Sequence, residues 1–242
     1  MDSTYIPRDL IEMVEPFRED LKAMAKEDGI ATRYYMKARV RSWGDEIVME
    51  RVPYLYSYVF HFSPGIRIGK KRLRDIIRPL VYDSGIVPLE SSRLPNHLGV
   101  RCIATTKDGY FVISKRGAEL AIGKFMYSIS CEGAVSAPRG EGESTLKELI
   151  HQQVEHELNL DMDEYEAFVL SFSRDMAMMG KPNVYVRLRL KLTKDELKER
   201  LRNVGEDLKF EFTRDPKRYL KKATHTLIYG LRLRENRVKI TY

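Results

Sequence analysis

Two β-rich runs, Leu98 to Thr106 and Tyr110 to Arg116, flank the corner Lys107-Asp108-Gly109. An Asp-Gly corner supplies the left-handed backbone of a tight hairpin, so these residues predict paired antiparallel strands. Phe125 to Val135 predicts a third strand bent at Gly133, followed by a loop rich in Gly, Pro and Arg from Ser136 to Gly142 and a helix from Ser144 to Leu158. Tyr165 to Arg174 and Val184 to Leu192 again have strand character. Thr193 with Glu196 three residues on opens a further helix as a capping box. Pro216 to about Leu231 reads as one helix, and Val238, Lys239 and Ile240 as a short strand. Strands and helices mixed in this order predict an α+β fold.

The amino-terminal part changes period several times. Ile11, Val14, Phe17, Leu21 and Met24 recur at helical steps, which predicts an amphipathic helix closed by Gly29. Tyr34 to Arg41 and Tyr54 to Phe62 are aromatic and β-branched and read as strands, the second ended by Ser63-Pro64-Gly65. Lys70 to Leu80 reads as a helix whose basic face, Lys70, Lys71, Arg72, Arg74 and Arg78, is most simply a solvated surface. A break near residue 95 divides an amino-terminal α+β segment, 1–94, from a second domain, 95–242.

At 242 residues and 43% hydrophobic content, the chain can bury a substantial core. A net charge of +7 favours anionic partners without amounting to a dense nucleic-acid stripe. Cys102 and Cys131 are too few for a disulfide framework and match no zinc spacing, so a reduced, cytoplasmic setting is expected. With no basic start before an apolar run and no stretch of 18 apolar residues, neither a secretory leader nor membrane spanning is expected. Phosphate-loop, nucleophile-elbow and dinucleotide motifs are absent.

Chemistry concentrates on the helix before Leu158. Leu146, Leu149, Ile150, Val154 and Leu158 form its apolar arc, and Glu148, His151, Glu155 and Asn159 lie away from it. Gln153 and Glu157, one turn apart, fall inside the arc, with His156 at its margin. An inward carboxylate must be paired, metal-bound or facing a wet cavity. Glu157 therefore either reaches water or an Arg at the helix end, or lines a ligand cavity. Lys115 and Arg116, at a strand end, either grip phosphates or are solvated. Met176, Met178 and Met179 suit loop packing, Tyr54, Tyr56 and Tyr58 suit a core or interface, and His225 is a satisfied polar residue.

The strand-turn-strand from Leu98 to Arg116, then Ser130-Cys131-Glu132-Gly133-Ala134-Val135, a loop, and Gln152-Gln153-Val154-Glu155-His156-Glu157-Leu158-Asn159-Leu160 resemble a Nudix domain with a degenerate box. The segment from Phe168 to Leu197, with Ser173-Arg174-Asp175 and Gly180-Lys181-Pro182, is similar to the UDP-sugar pyrophosphatase branch. The resemblance covers about residues 95–200 and implies an α/β/α sandwich with a mixed sheet, here preceded by a helix-and-strand segment. It implies a nucleoside diphosphate derivative as ligand, plausible candidates being nucleotide sugars, in a pocket of Arg116, Gly133, Gln153 and Glu157, with Lys115 beside it.

In that family three glutamates on this helix hold divalent cations; the matching positions here are Gln153, His156 and Glu157. Glu141 or Glu143 would take the place of the first box glutamate. Mg²⁺ wants several hard oxygens, which this set supplies poorly, while Mn²⁺ or Zn²⁺ tolerates it better. The first expectation is thus a Nudix-like binder with weak or lost hydrolysis and no cofactor. A second is an active pyrophosphohydrolase using Mg²⁺ or Mn²⁺ on Glu141, Glu143 or Glu155. A third is a nucleic-acid-associated or assembly protein using the basic helix with Arg232, Arg234 and Arg237. The amino-terminal strands either extend the main sheet or pair across a homodimer.

Overall fold

The computed structural model describes residues 4–27, 36–43, 47–62, 65–68, 70–82, 85–118, 123–137, 145–202, 208–233 and 238–239. Expectations placed on Gly29, Ser63-Pro64, Glu141, Glu143, Arg234, Arg237 and Ile240 lie outside the described residues. Two compact units emerge: one of residues 1–98, 134–143 and 174–182, the other of 99–133, 144–173 and 183–242. Strands and helices mix as the α+β reading expects.

In the first unit, the amphipathic amino-terminal stretch is two helices, α1 (Arg8–Val14) and α2 (Arg18–Glu27), with a 3₁₀ turn over Glu15–Phe17 between them. The expected single helix breaks because Pro16 lacks the N–H that an uninterrupted helix would need there. Leu10, Val14 and Leu21 supply the buried stripe. Strands β1 (Met36–Trp43) and β2 (Ile47–Pro53) pair antiparallel, Arg39 opposite Glu50. Arg39 is buried yet satisfied. It donates to Glu50 at 2.5 Å, to the Ser92 carbonyl at 2.8 Å and to the Leu94 carbonyl at 3.3 Å, and lies over the Tyr5 ring.

Tyr54 to Phe62, expected as a strand, is helical: α3 (Tyr54–Ser57) continues as a wider π turn over Tyr58–Phe62. The correction has a physical cause. Ser57, Tyr58, Val59, Phe60 and His61 are buried consecutively, so no period of two exists, and a helix satisfies their backbone groups locally. His61 accepts the Asn96 N–H on Nε2 at 3.0 Å, so Nδ1 carries the proton donated to the Met178 carbonyl at 2.9 Å. Burial, ahead of the nearby Lys181 and Arg174 charges, pushes the His61 pKa down to about 3. The expected basic helix begins late: β3 (Arg67–Ile68) pairs with β4 (Lys71–Arg72) before α4 (Leu73–Ile77) and a 3₁₀ turn over Arg78–Leu80. Its cations are exposed, as a solvated face requires.

The second unit is built on a mixed sheet. β5 (Gly99–Thr105) and β6 (Phe111–Arg116) form the expected hairpin, with Gly109 at φ 86° in its corner. The single strand expected from Phe125 to Val135 is broken into β7 (Tyr127–Ser128), which pairs with β6, and β8 (Cys131–Ala134), which pairs with β5. Ser130 sits at the switch, donating to the Val112 carbonyl and accepting the Ala104 N–H, both at 2.6 Å. Helix α5 (Leu146–Leu158) follows, with Thr145 and Glu148 as a capping box.

β9 (Tyr165–Asp175) and β10 (Lys181–Leu190) come next, then α6 (Lys194–Leu201) with the expected Thr193–Glu196 box. β11 (Leu208–Thr213), unanticipated, lies antiparallel to β6. The helix expected from Pro216 onward is a 3₁₀ segment over Pro216–Lys222, an extended Ala223, and α7 (His225–Arg232) capped by Thr224. The break lets the Thr224 N–H reach the Tyr127 carbonyl at 2.7 Å. β12 (Val238–Lys239) pairs with β9. The sheet order is β11-β6-β5-β10-β9-β12, with β10 parallel to β5. Ile103, Ile113, Ile129, Tyr219, Ala223 and Leu227 form a core beneath α7. α5 and α7 both pack on β5.

Candidate functional site

Alternation along β8 places the candidate residues. Its even and odd side chains point to opposite faces: Gly133 faces Gln153 of α5, while the Glu132 carboxylate reaches Thr226 of α7. The two helices therefore cover opposite faces of the sheet at this point.

On the α5 face, Leu149, Ile150, Val154 and Leu158 are buried, and Gln153 and Glu157 lie within that arc. Glu157 Oε2 accepts the backbone N–H of Glu132 at 3.0 Å, and Gln153 Nε2 donates to Glu157 Oε1. Both Glu157 oxygens are thus engaged inside the unit. Burial pushes the Glu157 pKa up to about 8, with the Glu132 charge adding to the rise against the opposing backbone hydrogen bond and guanidiniums. At neutral pH it is mostly a neutral carboxylic acid. Beside it Cys131 and Cys102 are buried free thiols, and burial, then the Cys102 contact, holds the Cys131 pKa well above its ordinary value.

Gly133 has a steric role. A Cβ added there would lie 2.0 Å from Gln153 Oε1 and 2.5 Å from its Cδ. Gly133→Ala is expected to expel the Gln153 amide and cost about 1–3 kcal/mol, the usual penalty of overpacking. Chemical denaturation of Gly133→Ala, Gln153→Ala and the double variant checks this; the second substitution should cancel most of the first one's cost.

On the α7 face, Glu132 meets Arg101 Nε at 3.5 Å and forms an ion pair with Arg116 Nη1. Ser128 Oγ donates to it at 2.8 Å and Thr226 Oγ1 at 3.1 Å, and Thr224 joins the hydroxyl cluster. Burial alone would raise the Glu132 pKa; Arg101, Arg116 and the two hydroxyls outweigh it and hold the pKa below the ordinary value. Two carboxyls joined through one backbone amide are therefore driven in opposite directions by their surroundings.

The structure brings together Gln153, Glu157 and Gly133, and places Arg116 on the other side of β8 with Glu132. His156 is exposed on α5, while Gln153 and Glu157 lie within the buried arc. Lys115 sits with its Nζ 5.8 Å from the Tyr127 ring centroid. Glu132, Arg101, Ser128 and Thr226 escaped the sequence reading, although Arg101 is a lone charge in an otherwise apolar strand.

A divalent cation on this helix would have to be held by Gln153, His156 and Glu157. Glu157 has both oxygens occupied, the Gln153 amide is wedged between Gly133 and Glu157, and His156 is exposed. Among the described residues no three His, Cys, Asp or Glu side chains gather into a metal-holding group. The described donors do not fit Mg²⁺, which demands several oxygens in near-octahedral array. No described helix is long and apolar enough to cross a membrane.

No family model and no curated protein matches the chain. Solved structures with partial likeness include DR0079 from Deinococcus radiodurans, 16% identical over 51% of this chain and 69% of that one, with a TM-score of 0.38. Another is a MutT protein from Methanosarcina mazei Go1, 12% identical over 48% of this chain and 74% of that one, with a TM-score of 0.31.

Proposed function

We propose that this chain is a Nudix-like binding protein for a nucleoside diphosphate derivative, with a nucleotide sugar as the first candidate, in which metal-dependent pyrophosphate hydrolysis is weak or lost. One observation carries the second half of that reading: Glu157, the one acid retained on the box helix, is hydrogen-bonded inward to Glu132 and Gln153 and mostly neutral at pH 7. A carboxyl engaged on both oxygens in this way would have to give up those bonds and its proton to ligate a cation. The order of strand, loop and helix around Gly133, and the box-like run from Gln152 to Leu160, support the first half.

The test is a turnover screen of UDP-glucose, ADP-ribose and a dinucleoside polyphosphate, each with Mg²⁺ and with Mn²⁺, run beside thermal-shift titrations. The expected result is thermal stabilisation by one nucleotide with no metal-dependent release of product above background. Turnover that requires metal and disappears in Glu157→Gln would overturn the non-hydrolytic reading.

A further inference from the structure

Cys102 and Cys131 stand opposite one another on neighbouring strands. β5 pairs with β8, and two contacts fix the register. Ser130 Oγ accepts the Ala104 N–H at 2.6 Å, and the Glu132 carboxylate meets Arg101 Nε at 3.5 Å. Rising numbers along β8 meet falling numbers along β5, so the pair is antiparallel with Arg101 across from Glu132. One step along each strand therefore sets Cys102 across from Cys131. Alternation turns both thiols away from the Arg101–Glu132 pair, to the face that carries Gly133, Gln153 and Glu157.

Directly opposed residues of antiparallel strands have Cα atoms about 4.5–5.5 Å apart, inside the roughly 4.4–6.8 Å that a disulfide spans. The two thiols are close enough to hydrogen-bond to one another, and both are at 0% exposure. A buried dithiol can hold a soft metal ion as a pair of thiolates or close into a disulfide. Charge decides between them. Burial, then the Cys102 thiol and the Glu157 and Glu132 carboxyls, hold the Cys131 proton in place, so paired thiolates are disfavoured here. Zn²⁺ would need further ligands, and among the described residues no third His, Cys, Asp or Glu side chain completes a metal-holding group. A disulfide is uncharged and needs no third group.

We infer that Cys102 and Cys131 are a modification site, closing into a cross-strand disulfide by exchange with a low-molecular-weight disulfide. One protein sulfur, as thiolate, attacks the small disulfide and releases one small thiol. The second protein sulfur attacks the resulting mixed disulfide and releases the other. Two protein S–H bonds and one small S–S bond are lost, one protein S–S bond forms, and the two protons end on the released thiols. The second step joins sulfurs already opposed, so the mixed disulfide does not accumulate. Burial shelters the pair, which makes the bond slow to form in the folded chain and slow to reduce once formed. Once closed, it ties β8 to β5 beside Glu157, whatever α5 binds.

With only two cysteines, an unfolded chain can form the same bond, so the test compares the folded and unfolded chain. The full chain is equilibrated over a series of reduced-to-oxidised glutathione ratios, in buffer and in urea, approached from both the reduced and the oxidised protein. Alkylation and intact mass then give the fraction carrying the bond. Sulfurs held opposite one another should favour the disulfide at least tenfold more in the folded chain than in urea. By linkage the oxidised chain should melt about 5 °C or more above the reduced one. Peptide mapping should join Cys102 to Cys131 in a monomer, and Cys131→Ala should show no difference in melting between the two buffers. A bond held no more strongly folded than unfolded, an oxidised chain that melts below the reduced one, or glutathione adducts in place of the cross-link would each overturn the site.

Discussion

Glu132→Ala is expected to lower the free energy of unfolding by about 3–5 kcal/mol, the usual cost of leaving a buried charge without its partner. Arg101 and Arg116 are 6% and 15% exposed and converge on this carboxylate, itself 11% exposed. Removing it takes away the carboxylate on which both guanidiniums converge, and one acceptor from the Ser128–Thr224–Thr226 hydroxyl cluster. Glu132→Gln keeps the shape and loses the charge, so it should fall between the two. Urea denaturation at pH 7 reads the effect as a lower midpoint with an unchanged slope. Its pH sign is definite. The folded pKa lies below the unfolded one, so this stabilisation is present above the unfolded pKa and fades as pH falls through the folded value.

Glu157 should act in the opposite sense, and almost as strongly. Its folded pKa of about 8 exceeds the ordinary 4.5, so the folded chain keeps a proton that the unfolded chain releases. The Glu157 contribution should therefore fall as pH rises from about 4.5 to about 8 and level off beyond, losing about 1.4 kcal/mol per unit over the steep part. His61, neutral in the fold with a pKa pushed down to about 3 from the ordinary 6.5, acts oppositely up to about pH 6.5, so the Glu157 fall stands clear of it between about pH 6.5 and pH 8. In Glu157→Gln the fall between pH 5 and pH 8 should flatten, as thermal midpoints measured across that range would show. A gap between the wild-type and Glu157→Gln midpoints that stays constant across that range would mean that Glu157 ionises as freely folded as unfolded.

Much of this architecture is written in local signals. The Asp108-Gly109 corner, the Thr193 capping box and the apolar arc of α5 each have a short-range cause, and each is found where the pattern puts it. The inward position of Gln153 and Glu157 follows from helical spacing alone. The unforeseen parts depend on what other segments supply. Tyr54 to Phe62 has strand-forming residues but is buried on consecutive positions, and only its surroundings decide for a helix. Thr224 leaves the expected helix because Tyr127 offers its N–H a partner from far along the chain. β11 is different, since Leu208, Phe210 and Phe212 alternate plainly and that period of two was there to be read.

The site divides in the same way. Helical spacing locates Glu157 but is silent on whether its carboxyl meets a cation, water or a backbone amide, because that depends on where β8 runs. Glu132 and Arg101 occupy inward positions of neighbouring strands, and their pairing needs the register of β5 with β8.

The most direct measurement is a titration of the Glu157 side-chain carboxyl by carbon-13 NMR, assigned by its disappearance in Glu157→Gln and repeated with Mg²⁺ present. An inward, hydrogen-bonded acid should titrate near pH 8 and keep its chemical shift when Mg²⁺ is added. A carboxyl that titrates near 4.5 and moves with Mg²⁺ would be a solvent-facing metal ligand, contradicting the binding-protein reading and restoring the hydrolase.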